Sequence, residues 1–218
     1  MMRRLAMWGL VLLLVACSNS PPAPDWQMNA KGALERALEA YLSGNTRVEA
    51  AEFARARAEV ARTGRPDLLA RLELSRCATR VASLVFEPCS AWAGLAADAA
   101  PPERAYAAYL AGQAQPQDAE LLPRQHRPFA GTARPATPAA LQSVADPLAR
   151  LVAAGVLLQT GRADPDVVRI AIDAASAQGW RRPLLAWLGV QARRADAAGD
   201  SAEADRIRRR MALVTVVP

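Results

Sequence analysis

Few side chains in this 218-residue sequence are equipped for chemistry of their own: three cysteines, one histidine, and 26 arginines set against a single lysine, Lys31. A thiol can be acylated, bridged or metal-bound, depending on its compartment and neighbours. His126 lies in the run Arg124, Gln125, His126, Arg127, Pro128. A histidine acting as a general base needs a positioned nucleophile or carboxylate, and no neighbouring residue offers one. It reads as a solvated loop residue between arginines. Cys77, Cys89 and His126 would supply three zinc ligands, but a fourth would have to come from a proline-rich loop, so no metal is expected. No Gly-x-Ser-x-Gly elbow, His-Glu-x-x-His helix, phosphate-binding loop or Cys-x-x-Cys occurs. The expectation is therefore a protein without cofactor or catalytic site. Carboxylates assembled from distant positions keep an enzyme acting on envelope polymers as an alternative.

Cys17 has its own context. Met1, Met2, Arg3 and Arg4 precede an apolar run over 5–16. As a helix, that run spans about 18 Å against a hydrocarbon core of about 30 Å, which is too short to cross a bilayer. A basic start, a short apolar centre and small residues at its end describe a secretory signal. The run ends Leu14, Val15, Ala16, Cys17, which resembles the lipobox of bacterial lipoproteins. The resemblance implies diacylglyceryl transfer to the Cys17 thiol, cleavage before Cys17 and fatty acylation of the new amino group. Two or more acyl chains anchor a protein stably where one does not. Ser18 follows, where an Asp in Gram-negative lipoproteins signals inner-membrane retention, so the family rule implies the outer membrane. Residues 18–25 are polar and proline-rich and read as an extended tether. The expected boundaries are a signal peptide over 1–16 and a lipidated cysteine with its tether over 17–28.

Export gives the remaining cysteines a reading. An even pair in an oxidising compartment tends to become a disulfide. Cys77 falls on an apolar helix face, and Cys89 follows a break at Pro88, so the chain can turn back to it. Two buried free thiols are the alternative.

These residues must be carried by helices. The chain holds 50 alanines but only 5% aromatics, a composition that favours helix over strand. Residues 30–42 form one helix, ended by Ser43, Gly44 and Asn45. Thr46 with Glu49 matches a capping box, and Ala50, Phe53, Val60 and Ala61 continue at helical spacing to Gly64. A third helix starts at Pro66 with Ala70, Leu74, Cys77, Ala78, Val81 and Leu84 on one face. Short helices follow near 91–97 and 103–110, closing an N-terminal helical part over 29–112. Residues 113–138 contain five prolines and Gly131, and read as a linker or surface excursion with one helical turn near 118–122. The C-terminal part, 139–218, holds helices over 148–158, from Asp164 through Ala174, over 184–198 and over 201–211, with 213–217 as a short extended tail. Residues 185–211 weakly resemble a tetratricopeptide repeat. Ala192, Gly199, Asp200 and Ala204 match its small and turn positions; Leu188, Ala195 and Arg208 depart from its large aromatic ones, and no second copy follows at the repeat length. The expected fold is all-α, built of antiparallel helical hairpins as a solenoid-like array or an irregular bundle.

Charge completes the picture. The formal net charge is +6, but Arg3 and Arg4 belong to the leader, which leaves 25 basic against 21 acidic residues. Arg181, Arg182, Arg193, Arg194, Arg206, Arg209 and Arg210, with Arg208, concentrate towards the end as a candidate basic surface for lipid headgroups, lipopolysaccharide or acidic proteins. A solvated face interleaved with acids is the plainer alternative. Trp92 and Trp187 read as core, and Trp26 and Trp180 as domain-edge packing or exposed anchors. The function expected is a membrane-anchored lipoprotein facing the periplasm that binds an envelope protein partner and no nucleic acid. An envelope-polymer enzyme and a lipid- or small-ligand-binding module are the alternatives.

Overall fold

The computed structural model describes residues 23–131 and 137–215. The Leu14, Val15, Ala16, Cys17 motif, residues 18–22 of the expected tether, residues 132–136 of the expected linker and the last three residues lie outside them. Ten α-helices and two short 3-10 turns occur among the described residues, with no strand. They are α1 (Asp25–Leu42), α2 (Thr46–Ala61), α3 (Pro66–Ala82), α4 (Ser90–Ala93), α5 (Pro101–Leu110), α6 (Pro138–Gln142), α7 (Pro147–Gln159), α8 (Pro165–Gln178), α9 (Arg181–Ala197) and α10 (Ser201–Thr215). The 3-10 turns, Pro116–Leu121 and Arg124–Phe129, lie between α5 and α6. Among these, no helix is long and apolar enough to cross a membrane.

Helix starts follow local chemistry. Proline stands in the first turn of α3, α5, α6, α7 and α8, where its missing N–H is no loss. The Asp146 and Asp164 carboxylates accept from Ala149 N and Val167 N, both at 2.8 Å, and Asp200 accepts from Glu203 N at 2.9 Å. Each satisfies an orphan donor of a helix N-terminus. One cap differs from expectation. Asn45, not Thr46, caps α2, accepting from Val48 N at 3.1 Å, and Glu49 turns inward instead of completing a capping box.

Short links bring consecutive helices together as hairpins: α1 with α2, α7 with α8, α8 with α9 and α9 with α10. Helix α7 is the central post. Residues 151–157 are buried without interruption, so no face of that stretch meets solvent, as expected of a helix surrounded by others. Helix α3 lies directly on it. Gly155 permits this approach, because a Cβ there would overlap the Val81 carbonyl of α3. The main core runs from Tyr41 and Leu42 through α3, α5, α7, α8 and α9 to Ile207 of α10. A smaller cluster of Ala33, Ala37, Phe53, Ala56 and Leu72 joins α1, α2 and α3.

Three expectations are corrected. Helix α1 begins at Asp25, so residues expected in the tether are already folded. Residues 113–131 of the expected linker or surface excursion pack on the body of the fold, since Ala114, Leu122 and Phe129 enter the main core and join what reads in sequence as two halves. Helix α10 continues through Thr215, so residues 213–215 are helical where an extended tail is expected.

Candidate functional site

The C-terminal arginines divide into two groups. Arg181, Arg182 and Arg194 act inside the fold. Arg181 donates to Ser43 O at 3.0 and 2.8 Å, and Arg182 donates to Tyr41 O at 2.7 Å and to Thr46 Oγ1 at 3.0 Å. The Arg182 guanidinium also lies 4.3 Å from the Tyr41 ring centre, and Arg80 packs on the same ring at 4.7 Å. Trp180 Nε1 donates to Glu39 Oε2 at 2.8 Å. Together Trp180, Arg181 and Arg182 grip the C-terminal end of α1, whose last carbonyls have no helical partner. Arg194 donates to Ala163 O at 2.6 Å.

The second group faces outward. Arg206 pairs with Glu203, and Arg208 with Asp196 and Asp205. Arg210 reaches only Ser176 Oγ, at 3.4 Å. Arg193 and Arg209 are exposed and make no ion pair among the described residues. From residue 181 on there are eight arginines against four acids, whereas residues 17–180 hold 17 basic and 17 acidic residues. The whole basic excess of residues 17–218 therefore belongs to the sequence from α9 onward, with Arg193, Arg209 and Arg210 its least compensated members.

Three buried carboxylates have roles that sequence reasoning misses: Glu73 and Glu103 belong to no evident motif, and Glu49 reads only as part of a capping box. Glu49 accepts from Arg76 Nε at 2.7 Å and Arg80 Nη2 at 3.4 Å. Glu73 accepts from Arg57 Nε at 3.1 Å, and Glu103 from Arg71. Arg76 also stacks on Phe53, 4.6 Å from its centre. These pairs bolt α3 to α2 and α5. Removing one partner would leave a buried charge unmatched, which costs far more than an exposed pair gains.

His126 is buried, not solvated, with 2% of its surface exposed. Its ring centre lies 5.5 Å from that of Tyr106 and 5.0 Å from that of Tyr109. Burial pushes its pKa down to about 4, opposed by the carboxylate of Asp146. Burial likewise raises the phenol pKa values of Tyr106 and Tyr109. Neither His126 Nδ1 nor the Tyr109 hydroxyl has a hydrogen-bond partner among the described residues. The recess beside Tyr109, Phe129 and Arg162 has no room for a water-sized molecule. A neutral, enclosed imidazole of this kind packs as an aromatic ring.

Cys77 and Cys89 are bonded as a disulfide, with their Cα atoms 6.0 Å apart. Leu84, at φ 61°, takes the left-handed turn after α3 that sends the chain back towards Cys77. Among the described residues, no three His, Cys, Asp or Glu side chains are placed to share a metal ion. Of the tryptophans, Trp187 is fully buried and donates to Ala82 O at 3.1 Å. Trp180 is buried, and Trp92 and Trp26 are half-buried.

A recess of about 190 Å³ lies between α1 and α3 at the end where the chain enters α1. Trp26, Ala30, Leu34, Val60, Leu68 and Leu72 form its apolar wall. Trp26, Ala30 and Leu34 belong to the same apolar face of α1 as Ala33 and Ala37, against which Leu34 packs, so the stripe was present in sequence but not the recess along it.

No protein family, curated protein or solved structure matches the chain.

Proposed function

We propose that the chain is a bacterial lipoprotein, anchored through Cys17 and facing the periplasm from the outer membrane, that serves as an interaction module for an envelope protein. The observation that carries this reading is the Cys77–Cys89 disulfide. A bonded pair suits an oxidising compartment, and it leaves Cys17 as the odd thiol, placed behind a basic and apolar leader. Helix α1 starts at Asp25, eight residues after Cys17, so the folded body sits close to its anchor. The uncompensated arginines of α9 and α10 favour a partner with an acidic surface.

Fractionation of envelopes tests the address. The chain is expected in the outer-membrane fraction with a mature amino terminus at Cys17 and a mass raised by fatty acyl groups. Cys17→Ala should abolish both. A soluble, unacylated product from the native sequence would overturn the reading.

A further inference from the structure

We propose that one fatty acyl chain carried by Cys17 folds back into the groove between α1 and α3. The inference rests on the lipoprotein reading and assigns that lipid a binding site on its own protein. Trp26, Ala30 and Leu34 line about 12 Å of α1 in the groove, flanked by Gln27 and Lys31, and Leu68 and Leu72 of α3 face them from across the gap, beside Arg71 and Ser75. A half-buried indole and an apolar trough of about 190 Å³ suit a hydrocarbon chain better than a polar ligand.

Two observations select the occupant. Cys17 lies eight residues before α1, a stretch that spans at most about 28 Å. The groove opens at the first turn of α1, so the thiol can stand at either of its ends. The two cations at the rim are engaged: Lys31 faces Glu35 at 3.8 Å and Arg71 holds Glu103. Each rim cation thus already has a protein carboxylate beside it, which disfavours the carboxylate of a free fatty acid there, whereas the acyl chains on an acylated Cys17 end in uncharged esters and an amide. Lodging part of one chain in the groove would shield that part from water whenever the protein is away from a bilayer, and leave the others to re-engage the membrane.

Hydrogen exchange on the full mature protein decides this. The acylated chain, its mass checked, is compared with a Cys17→Ala chain exported behind a non-lipoprotein leader. Amides in the first halves of α1 and α3 should exchange at least fivefold more slowly in the acylated protein, with α8 unchanged. Leu34→Arg and, independently, Leu68→Arg should erase the difference, while unchanged exchange in α8 reports an intact fold. Acylated protein with no added protection overturns the inference and leaves the lipoprotein reading standing. An unacylated native Cys17 overturns both. Protection that grows with protein concentration assigns the groove to a second copy and also overturns the inference.

Discussion

The indole of Trp180 donates a 2.8 Å hydrogen bond to the carboxylate of Glu39, across 141 residues of sequence. It joins the start of α9 to the last turns of α1. Arg181 and Arg182 then bind the Ser43 and Tyr41 carbonyls at the same helix end. A dipeptide that reads in sequence as part of a basic surface is thus, in its contacts, a helix cap supplied from far along the chain.

Trp180→Phe keeps most of the ring packing and removes the donor. It should lower unfolding stability by about 1–2 kcal/mol in urea titrations. Paired with Glu39→Leu in a double-mutant cycle, the coupling should be about 1 kcal/mol, and zero coupling would show that the contact is incidental.

Gly155→Ala adds a Cβ where the Val81 backbone already stands. Although alanine is the better helix former, separating α3 from α7 should make the variant at least about 2 kcal/mol less stable by thermal or chemical unfolding. A neutral or stabilising outcome would contradict the close approach of these two helices.

Reduction of Cys77–Cys89 should cost about 3 kcal/mol, the value expected for releasing a loop of this length. Denaturation midpoints with and without reductant measure it. Thiol titration of the unreduced protein should find neither cysteine reactive.

Acid should weaken the fold through His126. The unfolded histidine takes up a proton near pH 6.5, and the folded one not until about 4, so the unfolded chain binds more protons in that window. Stability is then full above pH 6.5 and falls as pH drops towards 4, by roughly 3 kcal/mol in all. Asp146 is the nearby group that opposes the depression. In His126→Phe the His-linked part of this slope should vanish, as read from denaturant midpoints across the pH range.

Much of the architecture was legible from spacing. The alanine-rich stripes and proline starts located the long helices to within a few residues, because both act within a single turn. Cys77 and Cys89 were paired correctly because a chain break at Pro88 lies between them. What escaped depends on contacts distant in sequence. His126 sits among arginines and prolines that look solvated, yet Tyr106 and Tyr109 of α5 enclose it. Glu49 matches a capping box, and only the packing of α3 shows it meeting Arg76. Arg181 and Arg182 are indistinguishable in sequence from Arg209 and Arg210, and differ only because α1 ends beside the first pair.

The most direct test of the central claim is site-specific photo-crosslinking in living cells, with the probe placed in turn at Arg193, Arg209 and, as a control on α2, Arg55. A tethered interaction module using the last two helices should give one discrete adduct with an envelope protein from Arg193 or Arg209. The adduct should be absent from Arg55 and lost with Cys17→Ala. No adduct from either arginine, or the same adducts from all three positions, would contradict the account.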